Sequence, residues 1–228
     1  MLRLHRHQLA RLTPGGWTAV RAQARDALEQ ACLAHWADAG LPLVITQQRC
    51  GKGTNAPVIA MGLSAPLRWE RRRIGLQVPR AEVLYFDEFP TGAQIAPLLP
   101  ARARAAWERL CAALRTAGAT PRVYGSYGWQ FLSGAGHLHS RSDLDLWLPA
   151  AEPQQADEIA ALLNDFAAEG LRLDGELLFN GDSAVSWREW AAWRSGRSSA
   201  LLVKTLGGSR LLRTLDELLG QAPAEAAL

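Results

Sequence analysis

The stretch HSRSDLDLWLP, residues 139–149, carries two carboxylates on either side of one leucine. Read as a strand, this strictly alternating pattern directs Asp143 and Asp145 to one face and three leucines to the other. The leucine face predicts a strand that is buried in the core of a sheet. The opposite face holds two like charges about one pleat repeat apart, and they repel each other unless water or a cation separates them.

The composition is that of an ordinary globular chain. It has 228 residues, of which 48% are hydrophobic, enough for one large domain or two modest ones. No apolar run is long enough for a transmembrane helix, and the charged start MLRLHRHQLARL lacks the apolar centre of a signal peptide. The cysteines Cys32, Cys50 and Cys111 are widely spaced, which predicts reduced thiols in a cytoplasmic protein and no zinc site.

The positive charge is concentrated in one short segment. The net charge of +3 is too small for a general DNA or RNA binder, so we expect neither a nucleic-acid nor a membrane partner. A local cluster could still bind phosphate or an acidic protein surface, although a solvated charged loop explains it equally well. The cluster consists of Arg68, Arg71, Arg72, Arg73 and Arg80.

The order of elements predicts two domains of the α+β (α/β) class. In the first half we expect a helix over 18–39, ended by Gly40, followed by three short strands between residues 41 and 79. The proline-rich stretch FDEFPTGAQIAPLLP changes the pattern and indicates a boundary between about residues 90 and 100. The predicted domains are 1–95 and 96–228.

The second half alternates strands with helices, which predicts a sheet covered by helices on one side. The element after the Asp-Leu-Asp strand is a helix closed by Gly170. Ser186 and Glu189 have the spacing of a capping box at the start of a later helix. The remaining predicted elements are a helix over 101–117, a strand in PRVYGSYG, strands in LRLDGELLF and ALLVKT, a final helix over about 209–219 and a frayed tail after Gly220.

Two features strengthen the Asp-x-Asp motif, which is weak evidence on its own. Gly125 and Ser126 end a predicted strand. Glycine permits close backbone approach there, and a hydroxyl beside a helix start can bind phosphate; a plain turn is the alternative.

Asp174 and Glu176 share one face of another leucine-backed strand, although such a face can also be simply exposed. If the two strands are neighbours, the acids surround one centre that suits Mg²⁺ and an in-line phosphoryl or nucleotidyl displacement.

The order Gly-Ser, Asp-x-Asp and a later acid resembles the nucleotidyltransferase superfamily that includes polymerase β and the aminoglycoside nucleotidyltransferases. Sixteen residues separate Ser126 from Asp143, more than is usual there, and the extra length falls in FLSGAGHLHS. Nearly end to end, the chain resembles the malonate decarboxylase holo-acyl-carrier-protein synthases, also called phosphoribosyl-dephospho-CoA transferases. The stretches that carry this resemblance are HRHQLARL, RRRIGLQVP, VYGSYGWQ, SRSDLDLWL, LDGELLFNGDSAVSWREW and ALLVKT.

The resemblance implies a defined reaction. The phosphoribosyl-dephospho-CoA group of 2'-(5-triphosphoribosyl)-3'-dephospho-CoA would pass to a serine of the apo acyl-carrier subunit of malonate decarboxylase, and pyrophosphate would leave. Asp143 and Asp145 match the paired metal ligands. Glu176 is the preferred third ligand and possible base, with Asp174 orienting it. Apart from the resemblance, Lys204 ends a predicted apolar strand, where it could neutralise the departing phosphates; a plain strand-edge lysine explains it equally well.

Other assignments are open at this stage. Gly125 and Ser126 would hold the phosphate tail, while Arg72 and Arg73 would grip the precursor or dock the carrier. His137 and His139 are expected in a loop over the substrate.

Two other functions would use the same acids. A nucleotidyltransferase that acts from ATP on a small molecule or a protein would share them, and a non-catalytic binding module would carry them as a solvated face. The run Gly51-Lys52-Gly53-Thr54 lacks P-loop spacing.

Overall fold

The computed structural model describes residues 4–48, 58–167 and 170–220. It contains two β-sheets with associated helices, one built from the N-terminal part of the chain and the other from the C-terminal part. This arrangement confirms the predicted α+β class. Cys50, the run of residues 51–54 and the tail after Gly220 lie outside the described residues.

The N-terminal domain is a five-stranded antiparallel sheet with two helices. The three strands expected between residues 41 and 79 are confirmed, and two further strands flank them in sequence. The elements are β1 (Leu9–Leu12), α1 (Pro14–Arg21), α2 (Ala27–Asp38), β2 (Leu43–Ile45), β3 (Val58–Ser64), β4 (Arg73–Pro79) and β5 (Val83–Asp87). The strand order is β4-β3-β2-β1-β5.

The single helix expected over residues 18–39 is wrong, because α1 and α2 are separate. Asp26 begins α2 as its N-cap, and its side chain accepts a hydrogen bond from the Glu29 amide at 2.9 Å. A capping side chain satisfies an amide at the start of a helix, so it favours a new helix over continuation of the old one. Gly40 follows α2 with a φ of +58°, as expected for a glycine that ends a helix.

The C-terminal domain is a mixed six-stranded sheet in the order β11-β10-β9-β8-β7-β6, in which β7 and β8 form the parallel pair. Its strands are β6 (Arg122–Val123), β7 (Leu144–Pro149), β8 (Leu173–Phe179), β9 (Ser183–Ser186), β10 (Leu201–Thr205) and β11 (Gly208–Leu212). The helices after β5 are α3 (Gly92–Ile95), α4 (Ala101–Thr116), α5 (Gly125–Ser133), α6 (Pro153–Asp165), α7 (Trp187–Arg194) and α8 (Leu215–Leu219). Short 3₁₀ turns cover Leu67–Trp69, Arg80–Glu82 and Ala96–Leu98.

Two local predictions for this domain are wrong. The final helix expected over about 209–219 is a strand, β11, followed by the short helix α8. Gly208 has a φ of +149°, which lets the chain reverse after β10 into a hairpin, and Thr214 then caps α8. The helix expected after Ser186 is present as α7, but the Ser186 side chain forms no cap hydrogen bond.

The leucine side chains of β7 and β8 form one side of the C-terminal hydrophobic core. Leu144, Leu146 and Leu148 are fully buried, as the alternating pattern predicts. They share one hydrophobic cluster with apolar side chains of α4, α6 and α7. The helices therefore cover one face of the sheet, and the carboxylates of β7 and β8 lie on the other.

The two domains share part of their packing. Phe89 belongs to the N-terminal cluster and Ile95 to the C-terminal one, so the chain changes core between these residues. Trp129 of α5 and Leu206, in the turn after β10, pack in the N-terminal cluster. The boundary drawn at residue 95 stays a prediction.

The described cysteines are free thiols. Cys32 and Cys111 are both buried, and burial raises the pKa of these thiols to about 11 and about 12, respectively. This confirms the expectation of reduced thiols for these two residues. Among the described helices, none has the length and apolar character that crossing a membrane would require.

Candidate functional site

The acids of β7 and β8 come together on one face of the C-terminal sheet. The two strands are parallel neighbours, and Asp145 lies directly opposite Asp174 in the register. Glu176 lies one pleat repeat further along β8, opposite Trp147. The sequence-based condition for a shared centre, that the two acidic strands be neighbours, is therefore met.

Asp145 is the carboxylate at the centre of this group. Burial, together with the negative charges of Asp174, Asp143 and Glu176, raises its pKa to about 7. A free aspartate ionises far more readily, so the shift records how much the fold opposes a charge at this position. Such a site favours a proton or a cation beside the carboxylate.

The Gly-Ser turn lies directly against Asp145. Gly125 begins α5 with a φ of +61°, and the backbone amide of Tyr124 donates to the carbonyl oxygen of Asp145 at 3.0 Å. A Cβ atom at Gly125 would lie 1.8 Å from Oδ2 of Asp145, so no larger residue fits beside the carboxylate. Ser126, the next residue, is half-buried in the first turn of α5. The two sequence motifs therefore meet at the start of one helix.

Asp143 is held by an arginine that the sequence reasoning did not single out. Arg172 donates to both carboxylate oxygens of Asp143, at 2.7 and 2.5 Å. These hydrogen bonds and the guanidinium charge hold the pKa of Asp143 below its usual value, despite partial burial. Asp143 is therefore ionised, and its charge is balanced by an exposed arginine.

Glu176 is surrounded by donors and cations. It is 5% exposed, and Lys204 of β10 lies 3.0 Å from its Oε1. Nε2 of His7 lies 2.8 Å from Oε2, and the Arg6 guanidinium lies 3.3–3.4 Å from both oxygens. Burial opposes ionisation of Glu176, but the hydrogen bond from His7 and the charge of Arg6 outweigh it and lower the pKa to about 2.

The segment His5–His7, which precedes β1, brings Arg6 and His7 to this sheet face. The ring of His7 stacks on Tyr124 with centroids 3.9 Å apart, and His5 bonds Glu88 at 2.7 Å. Burial lowers the pKa of His7, so its imidazole is neutral at pH 7 and donates to Glu176. Sequence reasoning missed these side chains as site residues. The sequence feature that could have identified them is the alternation of histidine and arginine in HRH.

The predicted basic residues of the N-terminal domain are not among the contacts of the acids. Arg72 bonds Asp26 and Glu70, so its charge is already paired within its own domain. Arg73 is exposed on the edge strand β4 and lines an open groove of about 540 Å³. Arg71 is exposed, and its charge adds to burial, the larger cause, in lowering the pKa of His137.

The two histidines of the 134–142 loop have different surroundings. His137 is 5% exposed, bonds Oγ of Ser133 at 3.1 Å and packs beside Trp36 and Trp129. His139 is exposed. His137 is thus a packing residue that fastens the loop to α5, and the expected position of this loop over a substrate stays a prediction.

The donor chemistry of the site fits a hard divalent cation. Oxygen ligands from a few carboxylates are what Mg²⁺ prefers, and burial together with three neighbouring carboxylates raises the pKa of Asp145. In the part of the chain that the structure describes, no three acidic, histidine or cysteine side chains are arranged as a complete metal site. The arrangement instead ties Asp143 to Arg172 and Glu176 to Arg6 and Lys204.

Comparison with known proteins gives matches over most of the chain. The family model of the phosphoribosyl-dephospho-CoA transferase MdcG N-terminal domain matches residues 5–89, and that of the MdcG C-terminal domain matches residues 90–214. No solved structure shows significant similarity to the chain.

Several curated proteins named phosphoribosyl-dephospho-CoA transferase are similar in sequence. The protein from Xanthomonas euvesicatoria pv. vesicatoria (strain 85-10) is 35% identical over 198 residues, which cover 86% of this chain and 87% of the relative. The protein from Xanthomonas axonopodis pv. citri (strain 306) is 34% identical over the same shares. The protein from Bradyrhizobium diazoefficiens is 31% identical over 205 residues, 88% of this chain and 86% of the relative.

Proposed function

The chain belongs to the phosphoribosyl-dephospho-CoA transferase family, a family of transferases, and on that premise we propose the reaction it catalyses. It transfers the phosphoribosyl-dephospho-CoA group from 2'-(5-triphosphoribosyl)-3'-dephospho-CoA to a serine of the apo acyl-carrier subunit of malonate decarboxylase. The observation that supports the proposal is the contact between Gly125 and Asp145, in which the Gly-Ser turn lies against a carboxylate of a crowded acidic face.

The bond changes balance as a displacement at phosphorus. The serine hydroxyl oxygen attacks the phosphorus next to the ribose, a new phosphodiester bond forms, and the bond to the outer two phosphates breaks to release pyrophosphate. The amides at the start of α5, beginning with Gly125 and Ser126, bind the phosphate tail. The proton of the serine hydroxyl passes to a carboxylate of the acidic face.

Asp145 of β7 and Asp143, the residue just before β7, are proposed to hold Mg²⁺. Asp143 and Asp145 supply oxygen ligands, and the ion, when bound, offsets charge on the attacking and leaving oxygens. Support comes from the raised pKa of Asp145, which a cation would reverse. For Asp143 to bind the ion, its carboxylate must exchange the Arg172 guanidinium for it.

The third acid is either Asp174 or Glu176. The sequence-based preference for Glu176 as ligand and base is untested. The contacts of the two residues favour Asp174, because Asp174 lies opposite Asp145 and is exposed, whereas Glu176 is buried and already bonded to three side chains. We therefore assign Asp174 as third ligand or base within this proposal.

The arginine-rich segment is proposed to dock the carrier. Carrier proteins are usually acidic, so complementary charge would speed the encounter. Since Arg72 pairs with Asp26 and Glu70, the free charges of the segment are better represented by Arg71 and Arg73, which are exposed.

Neutralising these two arginines tests the docking role. The Arg71→Gln, Arg73→Gln double variant is expected to raise KM for the carrier about threefold to tenfold and to leave kcat unchanged, because rim charges act mainly on association. Steady-state kinetics at two salt concentrations measure this, with Arg210→Gln on β11 as the control. An unchanged KM would refute docking by this segment.

Mass spectrometry of the apo carrier tests the function itself. After incubation with the enzyme, Mg²⁺ and the triphosphate precursor, the carrier should gain the mass of the prosthetic group on a serine. Replacing the precursor by ATP should give no adduct on the carrier; an adenylyl adduct would favour a nucleotidyltransferase that uses ATP. Asp143→Asn and Asp145→Asn should each abolish the adduct. A full-sized adduct with both variants would exclude the acids from the chemistry.

A further inference from the structure

Two positively charged side chains from different domains meet at one buried carboxylate. Arg6 comes from the N-terminal segment, Lys204 comes from β10, and both bond Glu176 on the acidic face of the C-terminal sheet. The carboxylate balances only one of these two charges. The cluster therefore has an excess of positive charge beside the crowded carboxylates of Asp145 and Asp174.

The cations retain capacity to bind a further anion. A guanidinium has five N–H donors and an ammonium has three, more than the two oxygens of Glu176 can accept well. The Arg6 bonds to Glu176 are long, 3.3–3.4 Å, and the Lys204 side chain is 40% exposed. Glu176 has the opposite character, because its side chain is 7% exposed and its oxygens are fully engaged. It is suited to hold the cations rather than to exchange partners.

We infer that Arg6 and Lys204 form the binding site of the departing diphosphate, and that Glu176 is a positioning residue that holds both cations towards it. The inference rests on the proposed function, in which a triphosphate arm loses pyrophosphate. Two regions of the site then have different roles. Asp143, Asp145 and Asp174 lie beside the phosphorus that is attacked, whereas Arg6 and Lys204 lie beside the phosphates that leave.

The position of Arg6 depends on both domains. His7 bonds Glu176 and stacks on Tyr124, which precedes α5, while His5 bonds Glu88 and lies 5.5 Å from Trp147 of β7. These contacts fix the residues on either side of Arg6 to the C-terminal sheet and to the end of the N-terminal domain. The phosphate site is thus completed by the N-terminal segment, which accounts for the HRH pattern there.

Direct binding of inorganic pyrophosphate tests this site without the carrier or the precursor. Calorimetry with Mg²⁺ present should show pyrophosphate binding to the full chain. Arg6→Gln and Lys204→Gln are each expected to weaken it about tenfold, since each removes a charge-assisted contact. Arg6→Lys should restore part of the loss. Arg210→Gln, which removes an arginine opposite Val203 rather than Lys204 in the hairpin, is the control and should bind like the wild type.

The Glu176→Gln variant separates the positioning role from that of a metal ligand. We expect weaker pyrophosphate binding and no change in the Mg²⁺ concentration that gives half-maximal binding. A several-fold rise in the Mg²⁺ requirement would instead make Glu176 a metal ligand and overturn the positioning role. Circular dichroism establishes that each variant is folded.

The outcomes also separate this inference from the proposed function. No binding of pyrophosphate to the wild type, or affinities within twofold of it in both Arg6→Gln and Lys204→Gln, would overturn the diphosphate site even if the carrier is modified. Binding that depends on Arg6 and Lys204, in a protein that does not modify the carrier, would support the site and count against the carrier as acceptor.

Discussion

At the scale of single residues, Asp145 is held where burial and neighbouring acids oppose its charge. Its pKa is raised from an ordinary 3.8 to about 7 by burial and by the neighbouring acids Asp174, Asp143 and Glu176. Between these pH values the folded protein binds a proton that the unfolded chain has lost, so this group makes the protein less stable as pH rises through the window. Above about pH 7 the destabilisation by Asp145 has reached its full size and no longer changes with pH.

Asp145→Asn should therefore stabilise the metal-free protein at pH 8 while abolishing transfer. The gain in melting temperature should shrink as pH falls through this range and be small at pH 4, where the carboxyl is protonated in the folded state and partly protonated in the unfolded state. Thermal melts with a chelator between pH 4 and pH 8 measure this. Asp143→Asn is the control, because it removes a carboxylate paired with Arg172 and should not stabilise the protein. A lower melting temperature for Asp145→Asn at pH 8 would contradict the electrostatic account.

Gly125→Ala tests the contact between the Gly-Ser turn and Asp145. The new methyl group would collide with the Asp145 carboxylate, so we expect transfer activity to fall by about a hundredfold or more through misplacement of the acid. Gly134→Ala is the matched control, since Gly134 also has a positive φ but a Cβ atom added there would meet no atom within 4 Å. Both variants should lose about 1–2 kcal/mol of stability from backbone strain. Equal activities in the two variants would show that the close approach has no role.

At the scale of elements, alternation of leucine with acid predicted β7 and β8 because a single period decides which face is buried. The same reasoning failed where a local cap or turn overrides periodicity: Asp26 caps a new helix between α1 and α2, and Gly208 turns the chain in the β10–β11 hairpin. The sequence predicted a shared acidic centre on the condition that β7 and β8 are neighbours, but it did not predict that they are. The contacts of Glu176 with Arg6 and His7 could not be predicted, since they join residues about 170 positions apart.

The loop after α5 is predicted to give the protein sensitivity to acid. Burial, followed by the charge of Arg71, lowers the pKa of His137 from 6.5 to about 4. In this window the unfolded chain binds the proton more readily, so stability is lost as pH falls from about 6.5 to about 4, by up to about 3 kcal/mol for this group. His137→Phe keeps an aromatic ring between Trp36 and Trp129 and should remove this part of the pH dependence.

The measurement is the difference in unfolding free energy between His137→Phe and the wild type across pH 4–8. The difference removes the opposite contribution of Asp145, which both proteins share. The variant should be relatively more stable at pH 4 than at pH 8. His139→Phe, at an exposed position of the same loop, removes a hydrogen bond from the Arg141 amide but no buried ring, so its difference from the wild type should stay constant between pH 4 and pH 8. A constant difference for His137→Phe across the range would refute the burial argument.

At the scale of the whole molecule, the proposed site needs both domains in one fixed arrangement. Trp129 of α5 packs among N-terminal core residues, and the amide of Gln48 donates to Leu206 at 2.7 Å. The amide of Leu67 also donates to Gly136 at 3.0 Å, which joins the arginine-rich segment to the loop after α5. Because these contacts are shared by both cores, neither domain can unfold without exposing part of the other.

The chain is therefore expected to unfold in one cooperative transition, with equal calorimetric and van't Hoff enthalpies. Trp129→Ala should lower the stability by about 3–5 kcal/mol, as for other large buried side chains, and should separate the two transitions because it removes a large side chain of α5 from the N-terminal core. Trp193→Ala on α7 is the control: Trp193 is half-buried at the edge of the C-terminal core, so a smaller loss in a single transition is expected. Two transitions in the wild type would mean that the domains are energetically independent. Arg6 would then reach Glu176 only in part of the population, and the affinity for pyrophosphate would fall with the fraction of docked molecules.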